Sequence, residues 1–456
     1  MFKKILVANR GEIAVRIIRA CRELGVRTVA VCSQADKLAL HAQIADETIC
    51  IGPASSKDSY LNIHSILSAC EITGADAIHP GFGFLSENAE FARMCQKCDI
   101  KFIGPSPEAM DLMGDKATAK ITMQKAGVPV VPGSQGIVET IEQATKVCNE
   151  IGFPVLVKAS AGGGGRGIRL VNALEELESA MIGAKQEALL FFGYDGVYIE
   201  KFVQNPRHIE IQLLADEFGT AVHLGERDCS IQRRNQKMVE ESPSPFIQMT
   251  DELRAAMGKA AVDAAHAVGY FNAGTIEFLV DIHGKFYFME MNTRIQVEHP
   301  VTEFVTGIDI VAHQILIASG EKLGFTQDDV KLTGHAIECR INAENPVYDF
   351  RPSPGTITYL HMPGGPGIRI DSAIYYGYTI PSHYDSMLAK LIVYAPTREL
   401  ALRKMCCALS EFLIQGVDTN IEFQLAILRN DEFKSGDYNI GFMEKNLQIL
   451  LDELKN

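Results

Sequence analysis

The sequence is short of positive charge. Its 456 residues contain 43 Lys and Arg against 57 Asp and Glu, which gives a formal net charge of −14. Nucleic acids and anionic membranes are bound by basic surfaces. We therefore predict that neither nucleic acid nor a membrane is a partner. A small anionic substrate is compatible with this balance, because a few local lysines are enough to define a pocket for it.

Long apolar runs are missing as well. No run approaches the roughly 18 residues of a membrane span, and the apolar segment after Met1 is too short for a signal peptide. The 11 cysteines follow no disulfide framework, and only Cys95 and Cys98 have the spacing of a metal or redox pair. Because no second pair lies nearby, we do not predict a zinc site here. These absences predict a reduced, cytoplasmic protein.

The N-terminal residues have the pattern of a βαβ unit. A strand at residues 5–8 and a turn at Gly11 precede a helix from Glu12, with Arg16 on the helix surface, and residues 28–32 form the next strand. This order predicts a doubly wound parallel sheet. The dinucleotide fingerprint is absent after the first strand, which disfavours a Rossmann dehydrogenase.

A loop at residues 79–88 follows another short strand. Loops at the carboxyl ends of parallel strands are where open α/β sheets bind ligands, although this one could equally be a simple strand-to-helix turn. We predict that the following helix begins at Ser86. The chain length favours two or three domains, and we place the first boundary near Met113.

A glycine-rich stretch covers residues 161–167. Its backbone amides can approach and wrap a phosphate, and Lys158 precedes it rather than following it as in a Walker motif. Such a stretch can also be a flexible linker, but the flanking lysine and Arg166 favour a phosphate-binding lid. Residues 197–203 then read as a strand that enters a linker, whose backbone groups suit an adenine edge.

Three later segments carry polar side chains. Residues 207–213 alternate, although polar strand faces are usually solvated. Residues 232–237 form a basic and amide cluster that suits a small anion. Residues 334–344 alternate again, and Gly- and Pro-rich punctuation beyond them suggests a more antiparallel region. The polar faces of the two alternating segments hold His208, Glu210 and Gln212, and Glu338, Arg340 and Asn342.

The most informative stretch is residues 288–300. Glu290 and Asn292 share one face of a strand, and a two-residue turn at His283 and Gly284 would place Glu277 directly opposite Glu290. Two like charges ~4 Å apart repel by ~4 kcal/mol at an effective dielectric near 20. A bound Mg²⁺ would remove this conflict, with Asn292 as a further oxygen ligand. The alternatives are a solvated glutamate or a longer turn with a different register.

These motifs, in this order, resemble biotin carboxylase of the ATP-grasp superfamily over essentially the whole chain. The resemblance is carried by residues 4–14, by Lys158 with its glycine loop, and by residues 290–300. It implies an α/β (α+β overall) fold, commonly in a homodimer. The implied parts are an N-terminal Rossmann-like domain with a parallel sheet (1–113), linker helices and a mobile lid (114–203), and a mostly antiparallel C-terminal region that includes the ATP-grasp core (204–456).

The resemblance also implies a set of site residues. ATP would be bound by Lys116, Lys158, Gly164, Gly165, Glu200, Lys201, Val203, His208 and Gln232, together with the metal ligands. Mg²⁺ or Mn²⁺ would be bound by Glu277, Glu290 and Asn292. Bicarbonate would be bound by Lys237, Arg294, Gln296, Val297 and Glu298, and biotin near Arg340. Asn235 and Phe82 stand where many relatives have histidine and tyrosine, which puts an ionisable role and a biotin-placing hydroxyl at these positions in doubt.

The implied chemistry is ATP-dependent carboxylation of biotin by bicarbonate through carboxyphosphate. Glu298 would act as the base, Arg294 and Lys237 would hold the anion, and Arg340 would stabilise the biotin enolate, unless Arg340 is merely solvated or ion-paired.

Because no Met-Lys-Met attachment motif is present, a separate biotin carboxyl carrier protein and carboxyltransferase subunits are the implied partners. The leading hypothesis is a subunit of acetyl-CoA carboxylase in fatty-acid synthesis. The alternatives are the same subunit of a pyruvate or other acyl-CoA carboxylase, another ATP-grasp acyl-phosphate ligase, or a nucleotide-binding module without activity.

Overall fold

The N-terminal region is a five-stranded parallel sheet with the strand order β3-β2-β1-β4-β5. The structure, a computed structural model, describes residues 1–160 and 167–454. The elements of this region are β1 (Lys4–Val7), α1 (Gly11–Glu23), β2 (Arg27–Ser33), α2 (Leu40–Ile44), β3 (Glu47–Gly52), α3 (Ile63–Thr73), β4 (Ala77–His79), α4 (Ala89–Lys97), β5 (Lys101–Phe102) and α5 (Pro107–Gly114).

Strand β1 is apolar on both faces because helices cover both sides of the sheet. Ile5 and Val7 pack into one apolar cluster, whereas Leu6 packs into another. The predicted βαβ unit and parallel sheet are therefore confirmed.

Two local expectations for this region are wrong. Arg16 is buried, because α1 packs against a later helix, and its guanidinium is compensated by Glu303 at 2.9 Å and Asp309 at 2.6 Å. The helix predicted from Ser86 begins instead at Ala89. Asn88 is its cap, since its side chain accepts the Phe91 N–H at 2.8 Å.

A small antiparallel sheet, in the order β7-β6-β8, forms the middle of the chain with its helices. Its elements are α6 (Lys116–Lys125), α7 (Ile141–Ile151), β6 (Val155–Ala159), β7 (Ile168–Val171), α8 (Leu174–Phe192) and β8 (Val197–Lys201). Lys158 lies on β6, as predicted. Gly164 and Gly165 lie outside the described residues.

The remaining chain is built on an eight-stranded antiparallel sheet, in the order β13-β12-β9-β10-β11-β14-β19-β18. Its elements are β9 (Arg207–Ala215), β10 (Ala221–Arg233), β11 (Gln236–Ser242), α9 (Asp251–Ala267), β12 (Asn272–Val280), β13 (Phe286–Asn292), α10 (His299–Thr306), α11 (Ile310–Ala318), β14 (His335–Asn342), β15 (Glu344–Asn345), β16 (Arg351–Pro352), β17 (Tyr359–His361), β18 (Ile368–Ser372), β19 (Met387–Ala395), α12 (Arg398–Glu411), β20 (Leu413–Gln415), α13 (Ile421–Arg429), α14 (Asp431–Ser435) and α15 (Phe442–Glu453).

The hairpin of β12 and β13 places Glu277 directly opposite Glu290, as predicted. The predicted two-residue turn is wrong, because the last pair is Val280 with Phe286 and the loop spans residues 281–285. A register shift between Glu277 and Phe278 leaves Met289 as one extra residue on β13. With the register set by the longer loop alone, Glu277 would face Met289. The extra residue shifts the register by one and brings Glu290 opposite Glu277.

Within residues 1–160 and 167–454, no single helix has the length and apolar character needed to cross a membrane. The short helices α10 and α11 meet that test only as a pair, and they are bent by 95° relative to each other. The expected domain boundary near Met113 falls in the last turn of α5, and the one at Val203 falls just after β8. The division into three domains stays a prediction.

Candidate active site

A row of charged residues crosses four neighbouring strands. Arg227 on β10 pairs with Glu210 on β9, which pairs with Glu277 on β12, which pairs with Glu290 on β13. Paired residues project from the same face of a sheet, so three carboxylates lie side by side. Glu210 is fully buried, and its carboxylate contacts Arg227 at 2.5 Å and Lys237 at 2.6 Å. The polar face of this strand is therefore not solvated, and cations must neutralise it.

Lys237 lies at the centre of these acids. It follows a hairpin turn at Arg234 and Asn235, which both have positive φ. This turn reverses the chain so that β11 pairs antiparallel with β10. The Lys237 Nζ lies 2.6 Å from Glu210, 3.1 Å from Glu277 and 2.6 Å from Glu298. Burial alone would lower the pKa of Lys237, but these carboxylates outweigh it and raise the pKa well above its usual value.

Glu298 is held between two cations. Its Oε1 accepts from Lys237 at 2.6 Å, and its Oε2 accepts from the Arg340 Nη2 at 2.9 Å. Burial would raise the pKa of Glu298, but Lys237, Arg340 and Arg227 together lower it well below its usual value. Glu298 is thus held in its ionised form.

Arg294 binds two amide side chains that also contact Glu277. It donates to the Asn292 Oδ1 at 3.0 Å and to the Gln296 Oε1 at 3.1 Å. Both of these side chains donate in turn to the Glu277 Oε1, at 2.8 Å and 3.1 Å. Glu87 binds the Arg294 Nε at 2.7 Å. These contacts bring together Glu277 and Asn292, which the resemblance assigns to the metal, and Arg294 and Gln296, which it assigns to bicarbonate.

The oxygen donors predicted for the metal fit a hard cation. Glu277 and Glu290 face each other, and the Glu290 side chain is 37% exposed with Lys116 at 3.1 Å. Asn292 directs its amide oxygen to Arg294 and its nitrogen to Glu277, so it must turn to offer oxygen.

A cluster of possible metal ligands beside these residues differs from the predicted set. Donor atoms of His208, Glu210 and Glu277 lie within 4.8 Å of one another, and the Lys237 ammonium already contacts two of these three residues. The outer pair Glu277 and Glu290 is therefore the more open position for a metal ion.

The residues predicted to bind ATP form a second, looser group. Lys158 and Lys120 each lie 2.7 Å from Glu200. Burial would raise the pKa of Glu200, but the two lysines outweigh it and lower the pKa. Glu200 thus keeps Lys158 of β6 and Lys120 of α6 near one another.

The other predicted ATP residues are placed around this group. The Lys201 ammonium donates to the Gly152 and Phe153 carbonyls at 3.1 Å and 2.8 Å. Val203 follows the end of β8 by two residues, and Gln232 pairs with Lys237 across β10 and β11. His208 Nε2 lies 2.9 Å from the Glu277 Oε2, which links the nucleotide residues to the glutamate row.

Sequence reasoning assigned no role to several acids and bases around the site. Glu87 could have been found from its position in the loop after β4, at the carboxyl edge of the parallel sheet. Lys390 had a clearer signal, because it is the single charged residue of the apolar strand β19. Glu240 binds the Arg340 Nε at 2.6 Å, but its neighbours in sequence are equally buried and gave no distinguishing pattern.

Comparison with protein families gives one consistent result. Residues 1–110 match the model described as biotin carboxylase, N-terminal domain, and residues 338–445 match the biotin carboxylase C-terminal domain. Between them, residues 115–326 match the carbamoyl-phosphate synthase L chain, ATP binding domain.

Individual relatives agree with the family models. The chain is 59% identical to biotin carboxylase 1 of Bacillus subtilis, covering 97% of this chain and 98% of that protein. It is 55% identical to a pyruvate carboxylase subunit from Methanothermobacter thermautotrophicus, covering 98% of this chain and 90% of that protein.

A solved structure agrees too. It is the biotin carboxylase domain dimer of 2-oxoglutarate carboxylase from Hydrogenobacter thermophilus, in complex with MgADP, ADP and bicarbonate. It superposes with a TM-score of 0.90 at 51% identity, covering 99% of both chains. The family predicted from the sequence is confirmed: this chain belongs to the biotin carboxylases.

Proposed function

We propose that this protein is an ATP-dependent ligase that carboxylates biotin with bicarbonate. The observation that carries the proposal is the arrangement of Glu298 between Lys237 at 2.6 Å and Arg340 at 2.9 Å. A proton acceptor flanked by two cations suits an anionic substrate that must lose a proton and then gain negative charge. The 59% identical Bacillus subtilis relative named biotin carboxylase supports it.

The reaction begins with the activation of bicarbonate. Bicarbonate is a poor electrophile, and phosphoryl transfer from ATP turns it into carboxyphosphate. In our proposal Lys237 and Arg294 hold the anion with Gln296 and Val297, and Glu298 accepts its proton. Lys116, Lys158, Glu200, Lys201, Val203, His208 and Gln232 are proposed to bind ATP, with Gly164 and Gly165 of the glycine loop. Mg²⁺ or Mn²⁺ on Glu277, Glu290 and Asn292 would neutralise the transferring phosphoryl group.

The site also explains how a carboxylate with a low pKa can act as a base. Lys237 and Arg340 lower the pKa of Glu298 in the structure. When these cations turn to the substrates, Glu298 loses part of that stabilisation and its proton affinity rises. Binding would therefore make the base stronger at the moment when it is needed.

Arg340 serves the second half of the proposed reaction. Carboxyphosphate breaks down to CO₂ and phosphate, and the phosphate takes the N1 proton of biotin. The resulting enolate carries negative charge on the ureido oxygen, and the Arg340 guanidinium is the cation placed to stabilise it. Its present contacts to Glu240 at 2.6 Å and to Glu298 at 2.9 Å keep it directed into the site.

The test is ADP release by the purified protein, measured with ATP and Mg²⁺ in the presence and absence of bicarbonate and free biotin. We expect release to require bicarbonate and to rise further with biotin. ADP release that ignores both compounds would overturn the proposal and favour another ATP-grasp ligase. ATP binding without turnover would favour a nucleotide-binding module.

We further propose that the enzyme acts as a cytoplasmic homodimer. Its partners would be a separate biotin carboxyl carrier protein and carboxyltransferase subunits, and acetyl-CoA, for fatty-acid synthesis, is our first choice of final acceptor. We also propose that the chain divides into three domains at residues 113 and 203.

Pyruvate is the second candidate acceptor, because a relative at 55% identity is a pyruvate carboxylase subunit. Reconstitution with the carrier and transferase subunits of the same cell, followed by labelled bicarbonate incorporation into acetyl-CoA or pyruvate, separates the two.

A further inference from the structure

The loop between Asn292 and His299 is fixed through its backbone carbonyls. The Ile295 carbonyl accepts from the Arg294 Nη1 at 3.2 Å, and the His299 Nδ1 lies 2.8 Å from the Gln296 carbonyl oxygen. Both of these contacts come from within residues 290–300. The Val297 carbonyl accepts instead from the Lys390 ammonium on β19, at 2.8 Å. Lys390 thus anchors the peptide that joins Val297 to Glu298.

Lys390 is a fully buried lysine in an apolar strand. Its side chain is 0% exposed, and its neighbours Ala389 and Leu391 are equally buried. Burying an ammonium group has a desolvation penalty of several kcal/mol, which interactions with its buried partners must offset. A lysine at this position therefore calls for a role besides packing.

The surroundings of Lys390 connect three parts of the molecule. Its Nζ lies 3.3 Å from Glu12 on α1 of the N-terminal region and 3.8 Å from Asp371 on β18. In the sheet it is paired with Arg340 on one side and with Asp371 on the other. The Lys390 ammonium is therefore restrained by several contacts, and its hydrogen bond restrains the Val297 carbonyl in turn.

We propose that Lys390 is a positioning residue for the bicarbonate site, which it serves by fixing the Val297 carbonyl and thereby the backbone that carries Glu298. This inference rests on the proposed function, because it takes bicarbonate as the anion. Without the ammonium, the carbonyl would lose its donor and the Glu298 carboxylate would shift relative to Lys237 and Arg340. A displacement near 1 Å in such a site can reduce the rate by roughly 100-fold.

The test compares three variants in the ADP-release assay. Lys390→Met removes the ammonium at similar length. Lys390→Met combined with Glu12→Gln removes it while also removing a carboxylate that would be left without its cation. Lys404→Met is the control, because the partly buried Lys404 ammonium also donates to backbone carbonyls, those of Pro366 and Tyr394, both at 2.7 Å.

We expect kcat/KM for bicarbonate to fall roughly 10- to 100-fold in both Lys390→Met variants. The KM for ATP should stay within about twofold, and the double variant should regain thermal stability without regaining activity. The Lys404 control should keep the wild-type kcat/KM. An unchanged kcat/KM for bicarbonate in a folded Lys390→Met variant would overturn the inference. So would recovery of activity together with stability in the double variant, or an equal rise of both KM values.

If the methionine variants do not fold, Lys390→Arg decides the question. It keeps a buried cation and donor but moves the donor atoms, so kcat/KM for bicarbonate should fall several-fold with the KM for ATP unchanged. A wild-type value in this variant would overturn the inference. ADP release by the wild-type protein that ignores bicarbonate would instead overturn the proposed function, and with it the substrate named here.

Discussion

The two faces of strand β11 each carry a buried glutamate, and the pKa values of the two glutamates are shifted in opposite directions. Glu240 and Glu241 are neighbours on β11 and project to opposite sides of the large sheet. Glu241 binds the Arg398 Nε at 2.7 Å, the His335 Nε2 at 2.6 Å and the Tyr438 hydroxyl at 2.5 Å. Burial would raise its pKa, but Arg398 and His335 lower it to about 2.

Glu240 faces the candidate active site and is less well compensated. Its Oε1 accepts from Arg340, whereas its Oε2 has no hydrogen-bond partner among the described residues. Burial raises its pKa to about 7, because Arg340 only partly opposes this shift and Glu298 adds to it. The acids on this face share their cations, whereas Glu241 has donors of its own.

The difference separates a structural ion cluster from a functional one. A fully satisfied carboxylate stabilises the fold and has no capacity left for a ligand. Carboxylates that compete for Lys237 and Arg340 leave these cations able to exchange partners when substrates bind. The face with Glu240 should therefore govern activity, and the face with Glu241 should govern stability.

The largest effect is expected for Glu298→Gln. Loss of a general base lowers a rate by roughly 10²- to 10⁴-fold. Stability should change little, because Lys237 keeps Glu210 and Glu277, and Arg340 keeps Glu240. Bicarbonate-dependent ADP release and urea unfolding measure the two quantities. A wild-type rate in this variant would rule out Glu298 as the base.

Glu241→Gln should show the reverse pattern. Removing one partner of a buried ion pair costs about 3–5 kcal/mol in the free energy of unfolding. The kcat of the folded fraction should stay at the wild-type value. Urea unfolding followed by circular dichroism gives the stability, and Glu399→Gln at an exposed pair is the control that should change it far less. A loss of activity in folded Glu241→Gln protein would erase the contrast between the two faces.

Arg340→Gln should separate the two half-reactions. A hydrogen bond to a charged group contributes about 1.5–3 kcal/mol, which corresponds to a loss of roughly 10- to 100-fold in biotin carboxylation. The KM for ATP should remain unchanged, because Arg340 contacts Glu240 and Glu298 rather than the nucleotide residues. Carboxybiotin formation and ATP binding measure the two effects. Equal losses in both would indicate a structural role for Arg340.

The smallest expected effect is a difference in pH dependence. In the folded protein Glu240 keeps its proton up to about pH 7, whereas its ordinary pKa is 4.5. Between these values the folded state binds more protons than the unfolded state, so the contribution of Glu240 to stability falls as the pH rises. Glu240→Gln lacks this loss. Between pH 5.5 and 6.5 its free energy of unfolding should therefore rise by roughly 1 kcal/mol relative to that of the wild type.

The contribution of Glu241 to stability depends on pH with the opposite sign. Its contribution is present above pH 4.5 and is lost as the pH falls towards 2. Urea unfolding at a series of pH values measures both dependences. Parallel pH curves for wild type and Glu240→Gln would show that Glu240 is ionised like an ordinary glutamate.

The parts of the fold that could be predicted from the sequence depend on local periodicity. The apolar run of β1, the helical spacing of α1 and the alternation of β9 and β14 each reflect the geometry of one element. The opposition of Glu277 and Glu290 was predicted correctly from a turn that the structure does not contain. The functions of these residues came from family resemblance, since spacing alone does not identify bicarbonate.

The rest depends on contacts between distant segments. Arg16 is buried because Glu303 and Asp309, almost 300 residues away, compensate its charge. Glu87 meets Arg294 across a separation of 207 residues. Lys390 meets Glu12 because the large sheet packs against α1, and it meets Val297 across a separation of 93 residues. No periodicity encodes such encounters, so sequence patterns could not assign them.

The bulge at Met289 has a consequence for how this hairpin tolerates change. Glu277 is aligned by its pairing with Glu210 on β9. The bulge changes the register by one residue between the loop end of the hairpin and the pair of Glu277 and Glu290. The exposed tip at Ile282 and His283 lies on the far side of this bulge from the acids. We therefore expect insertions or a fluorescent tag at this tip to leave the glutamate row in place.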